Sequence, residues 1–239
     1  MSTIKSERLG KIDFLLKWNT MREEADKELT DLPLLDEGIL VGGLDLAERI
    51  DRSCLFNLQW NGQFLDQAGV REWAHTKYPK IADDVRIIYK TLSARGFNYH
   101  KIGYDETGNT AVGYLFSQEL EGVMDPIHFT NPMKLDAVRV VNYLKDLGML
   151  RLEPDDPVIR QMDEQQKVVA ASGNQRYEHP SGSHDDRFWG LAIACWEAVE
   201  LIVGLPPVGI ATYHAAEDMG EDPDVIIDSI MQYSKFKYW

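Results

Sequence analysis

The segment from Asp185 to Val203 constrains this chain most. After Asp185, Asp186 and Arg187 it runs Phe188, Trp189, Gly190, Leu191, Ala192, Ile193, Ala194, Cys195 and onward to Val203, with Glu197 and Glu200 as the only later charges. A helix this apolar should be largely buried. Gly182 and Ser183 read as the turn before it, with Ser183, His184 or Asp185 as N-cap, and Gly204, Pro206 and Pro207 stop it. Two adjacent carboxylates, Asp185 and Asp186, therefore stand at the mouth of a buried helix. Such a pair can cap the helix and offset its dipole, or it can serve as a rigidly anchored holder for a metal ion.

At 239 residues and 44% hydrophobic, the chain can bury a sizeable core and should form one main domain with extensions. No apolar run is long enough to span a bilayer, and the start of the chain is not followed by a signal-peptide core, so a soluble protein in the cytoplasm of a host cell is expected, without a membrane partner. Cys54 and Cys195 stand alone among apolar neighbours and read as packed, reduced thiols. The net charge of −14 argues against a generally basic nucleic-acid-binding surface. It leaves room for a local groove, because acidic residues that collect a divalent metal contribute to the total.

Residues 1–38 read as a helical arm and connector. A first strand follows in the apolar run Gly38 to Ala47, then a second from Ser53 to Trp60, which meets Asn61-Gly62, a strong hairpin signal. Gln63 to Glu72 should return as a third. The pattern becomes helical from Tyr78 to Arg95, extended from Phe97 to Tyr104 and helical from Asn109 to Leu120. A fifth strand spans Val123 to Phe129, and Thr130-Asn131-Pro132 opens a helix over Met133 to Leu147. Met149 to Leu152 reads as a short edge strand, Asp155 to Ala170 as a helix, 172–183 as a polar loop, and 205–239 as a tail with a helix from Asp222 to about Phe236. Strands first, then alternating helix and strand, give a mixed-sheet α/β layout.

Two further carboxylates occupy informative places. Asp45 interrupts the apolar first strand, where an unpaired charge is costly. Asp105 sits where the fourth strand runs into a turn, and in a sheet of this order the first and fourth strands can lie side by side. Carboxylates converging from separate elements repel one another unless a cation sits between them. Hard oxygen ligands without cysteine favour Mg²⁺ or Mn²⁺.

The run Gly43-Leu44-Asp45-Leu46-Ala47, then Asp105-Glu106-Thr107-Gly108, then Phe129-Thr130 with Lys134, and finally His184-Asp185-Asp186 before a small-and-apolar helix, resembles the nuclease domain of viral large terminases. The resemblance covers residues 39–204 and implies a ribonuclease H-like mixed five-stranded sheet flanked by helices. It implies a two-metal endonuclease that cuts concatemeric viral DNA during genome packaging. By position, Asp45 would bridge two Mg²⁺ or Mn²⁺ ions, Asp105 would bind one, Asp185 and Asp186 would complete the set, and Asp51 would be an additional outer ligand. Lys134 and His184 would be auxiliary groups that position phosphate, water or a ligand. Asn109 and Thr110 follow Gly108 where the family often has a further glycine, which leaves Asp105 and Glu106 both open as the metal-facing acid. Double-stranded DNA is the implied substrate, with a packaging ATPase, portal or small terminase subunit as partners. No Gly-x-x-x-x-Gly-Lys-Ser/Thr loop occurs, so translocation is not assigned to this chain, which would be a separately encoded or excised nuclease domain or a related nuclease.

Blander readings stand beside these. Lys134 is equally well a solvated lysine in a first helical turn, and His184 a turn residue. His179 and His184 lack the cysteine or second close histidine pair that a zinc site needs. Arg176, Arg187 and the basic residues Lys77, Lys80, Arg86, Lys90, Arg95 and Lys101 could follow a DNA backbone, although mixed charge on an exposed face explains Arg86 and Lys90 better. A Holliday-junction-type resolvase shares the same arrangement of acids. A docking module of a packaging motor, weakly active or without catalysis, is the reading from a different class. An actin-like ATPase is disfavoured, because Leu46-Ala47-Glu48 does not supply its phosphate-binding turn.

Overall fold

The computed structural model describes residues 38–47, 52–107, 111–117, 120, 122–169, 175–180 and 184–204. In chain order they form β1 (Ile39–Asp45), β2 (Arg52–Trp60), β3 (Leu65–Ala74), α1 (Tyr78–Ala94), β4 (Asn98–Asp105), α2 (Ala111–Ser117), β5 (Met124–Ile127), α3 (Asn131–Asp146), β6 (Leu150–Arg151), α4 (Pro157–Glu164), β7 (Gln166–Val169), β8 (Gln175–Glu178) and α5 (Asp186–Gly204). Asp51, the arm expected over 1–38 up to Glu37, and the tail expected over 205–239 lie outside the described residues.

Six strands make the main sheet in the order β5-β4-β1-β2-β3-β6. The Asn61-Gly62 turn works as its sequence implies. Gly62 takes a φ of +94°, and the Asn61 side-chain oxygen accepts from the backbone N–H groups of Gln63 at 3.0 Å and Phe64 at 2.8 Å. That turn fixes the antiparallel β2–β3 register. β1 then pairs antiparallel with β2 on one side and parallel with β4 on the other, with α1 in the crossover to β4.

Helices cover both faces. α1 and α2 pack with Leu40, Leu44, Leu55, Ile102 and Tyr104 on one side; α3, α4 and α5 pack with Val41, Phe56, Leu58 and Trp60 on the other. Strand side chains alternate between faces, so the parity that sends Leu40 and Leu44 to α1 sends Val41, Gly43 and Asp45 toward α5.

Two expectations need correction. The main sheet has six strands rather than five, because Leu150 and Arg151 pair in parallel with Leu65 and Asp66 at its edge. The helix expected over 155–170 stops at Glu164, where Gln165 turns extended at φ −66° and ψ 124°. Gln166–Val169 then pairs antiparallel with Gln175–Glu178, inside the stretch read as a loop. This two-stranded ribbon is mostly polar and separate from the main sheet. Its strands therefore lack the apolar alternation that marks a half-buried strand.

Candidate functional site

Glycine sets the depth at which α5 lies on the sheet. Gly43 of β1 pairs with Gly103 of β4. A Cβ on Gly43 would stand 2.0 Å from the Gly190 carbonyl oxygen and 2.3 Å from the Ala194 nitrogen of α5, and one on Gly103 would meet Ile193 and Glu197 within 3 Å. The helix thus rests backbone-close on β1, while over β4 the Ile193 and Glu197 side chains lie directly on Gly103. Two residues further along each strand, on the same face, are Asp45 and Asp105. The close seat brings the head of α5 to the carboxyl ends of β1 and β4, the edge of an open sheet where ligands commonly bind.

Asp45 registers the assembly electrostatically. By exposed area the residue is half-buried, yet its carboxyl lies deep enough that burial is the leading influence, pushing it well above the ordinary carboxylate range; Lys134 opposes this, while Asp186, Asp105 and Asp185 reinforce it. The four acids picked from separate stretches are therefore neighbours. Of the two adjacent acids in the second motif, Asp105 acts on Asp45, whereas Glu106 faces His128 at 3.8 Å. Asp105 is held by its own turn, its Oδ1 accepting from the Thr107 backbone N–H at 2.7 Å. The Thr107 hydroxyl accepts from the Phe129 N–H at 2.8 Å, tying the exits of β4 and β5 together.

At the head of α5, Asp186 is 5% exposed and Asp185 is half-buried. Asp185 Oδ2 accepts from the Trp189 indole at 2.6 Å and from the Gln165 amide at 3.2 Å, and its Oδ1 lies 3.6 Å from His179 Nε2. Its side chain is thus drawn toward other side chains rather than serving solely as a backbone cap. Arg187 fastens the same turn, donating to Glu72 of β3 at 2.7 Å and to Asp156 at 3.0 Å. Asp156 in turn caps α4 through the Val158 N–H at 2.8 Å and accepts from Gln67 at 2.7 Å. The hydrogen bond to Glu72 is the main reason the guanidinium holds its proton more firmly than usual. Arg187, one of the basic residues that could have followed a DNA backbone, is committed to an internal network. Arg86 pairs with Asp83 and Lys80 with Asp84 along α1, the mixed-charge face that the sequence suggested.

Lys134 is not a fully solvated lysine. It is half-buried in the first turn of α3, with Nζ 4.6 Å from the ring centre of Trp189 and 5.2 Å from that of Phe129. His184 is exposed beside Asp185. Gln165, Trp189 and His179 contact Asp185 yet were invisible as a group in the sequence, because nothing in their spacing signals that a hairpin strand and a helical turn meet at one carboxylate. Cys54 and Cys195 are buried free thiols, as their neighbours implied, and burial pushes both well above the ordinary thiol range.

By chemistry the site fits a divalent cation. The donors are carboxylates from three elements, and the like charges around Asp45 are what an ion would relieve. As the side chains stand, no three His, Cys, Asp or Glu among the described residues are drawn close enough to ligate one ion. No helix among the described residues is long and apolar enough to cross a membrane.

No family model matches the chain, and no curated protein matches it. Solved structures do. The large terminase nuclease from thermophilic phage G20c matches with a TM-score of 0.56 at 16% identity, over 66% of this chain and 81% of that one. The same nuclease with bound magnesium gives 0.55 at 19% identity, over 66% and 80%. The HK97 bacteriophage large terminase gives 0.53 at 12% identity, over 72% of this chain and 42% of that one. The chain has the ribonuclease H-like fold of these nuclease domains.

Proposed function

We propose, from that shared fold, that the chain is a Mg²⁺- or Mn²⁺-dependent DNA endonuclease of the large-terminase type. Residues 39–204 would be the nuclease domain, and residues 1–38 and 205–239 would contact a packaging ATPase, portal or small terminase subunit. The carrying observation is the parallel pairing of β1 with β4 beneath the head of α5, which groups Asp45 with Asp105, Asp185 and Asp186. That magnesium is bound to the G20c nuclease supports the choice of ion.

When bound, the divalent metal would supply an activated water and neutralise the leaving oxygen of a phosphodiester. The chain's own part is to hold and orient. Asp45, Asp105, Asp185 and Asp186 would hold the metal through their carboxylates. Lys134, its ammonium seated on aromatic rings, acts on Asp45 and would hold a non-bridging phosphate oxygen. His184, exposed next to Asp185, would orient a ligand or water, and Asp51 would contribute from outside.

The test is plasmid cleavage with Mn²⁺ and with EDTA. The expected outcome is Mn²⁺-dependent nicking and linearisation, lost more than about a hundredfold in Asp45→Asn and Asp186→Asn. Undiminished activity in either variant removes the site. The net charge of −14 and the engagement of Asp185 favour one other reading, a docking domain with little cleavage of its own. Calorimetric titration with Mn²⁺ separates them, since the nuclease should take up two ions and a pure docking module none.

A further inference from the structure

We infer that Trp189 is the positioning residue of this site, fixing Asp185 through its indole N–H and seating Lys134 on its ring. The inference rests on the nuclease reading and deepens it. Trp189 makes three relevant contacts with three parts of one side chain. Its Nε1 donates to Asp185 Oδ2 at 2.6 Å, a short charge-assisted hydrogen bond. Its ring centre lies 4.6 Å from Lys134 Nζ. Its flanks meet Phe129 at 5.5 Å and 84° and Phe188 at 5.0 Å and 61°, both edge-to-face arrangements. The two phenylalanines restrict the indole, and the indole relates an acid on α5 to a cation on α3.

A structural explanation would be that a buried indole simply needs an acceptor. The molecule argues against that as the whole cause, because the Trp60 Nε1 is buried with no hydrogen-bond partner among the described residues. Among the described residues burial alone therefore does not give every indole an acceptor. The choice of acceptor also carries weight. Partners of a metal-holding carboxylate set its orientation, and their loss typically weakens metal affinity or activity about 10- to 100-fold. Gln165, reaching the same oxygen at 3.2 Å, is the lesser partner, outside the core.

The experiment compares Mn²⁺ titrations by calorimetry with cleavage kinetics. Trp189→Phe keeps an aromatic face for Lys134 and removes the N–H; the expected result is a Mn²⁺ dissociation constant raised about tenfold, with kcat largely recovered at saturating Mn²⁺. Lys134→Met should show the opposite split, with kcat lowered and Mn²⁺ affinity not weakened. Trp189→Leu should show both defects. Melting in EDTA verifies that each variant is folded. A second measurement needs no variant: with indole nitrogens labelled in the wild-type chain, one of its six tryptophan N–H signals should move with the same midpoint as Mg²⁺ uptake. A folded Trp189→Phe with unchanged Mn²⁺ affinity, or no indole signal following Mg²⁺, overturns the inference alone. A wild-type chain that takes up no Mn²⁺ overturns the nuclease reading and this inference with it.

Discussion

At Asp45, burial and three neighbouring carboxylates push one carboxyl in the same direction, and Lys134 opposes them. The metal-free fold therefore carries an electrostatic cost at the residue most central to its proposed chemistry, the usual signature of a functional position. Asp45→Asn should raise the stability of the protein in EDTA by on the order of 1 kcal/mol, read as a higher melting temperature. The same substitution should abolish the rise that Mg²⁺ produces in the wild type. A variant that melts lower in EDTA would show that Asp45 is a well-satisfied structural acid. Much of this was legible in the sequence: a charge inside an apolar strand, and acids at the exits of other elements. Trp189 and Gln165 were not, because a hydrogen bond between side chains of different elements leaves no periodic trace.

Among elements, the seat of α5 decides whether the acids meet. The contact passes through Gly43 and Gly190, where backbone meets backbone, and over Gly103, where the Ile193 and Glu197 side chains fill the space a Cβ would take. Gly43→Ala places a methyl against the backbone of Gly190 and Ala194, which cannot move aside as a flexible side chain does. The expected cost is about 3 kcal/mol, measured by urea denaturation, together with loss of cleavage out of proportion to the fraction unfolded. An unchanged denaturation midpoint would refute the close seat. The apolar length of α5 announced a buried helix, and the turn at Asn61-Gly62 announced the β2–β3 pairing. What could not be read was the β7–β8 ribbon, since each of its strands is only four residues long, too short for an alternation to stand out. The short β6, expected as an edge strand over Met149 to Leu152, pairs at the sheet edge through Leu150 and Arg151.

For the whole molecule, the charge of −14 sets the terms on which it can meet DNA. Arg187, Arg86 and Lys80 are each paired internally, which leaves fewer basic groups to follow a phosphate backbone than their number suggests. Binding of a duplex, measured by fluorescence anisotropy, should be no tighter than about 1 μM at 150 mM salt and should strengthen with Mg²⁺. Nanomolar binding in EDTA would show a basic groove that the sequence and the described residues do not reveal.

The parallel junction of β1 with β4 is made across half a hundred residues of intervening chain, and α5 joins it only after a further eighty. Contacts between such distant stretches form late in folding. A nascent or partly folded copy would therefore hold its acids apart. The proposed site is thereby tied to completion of the domain, and its carboxylates come together only in the finished molecule.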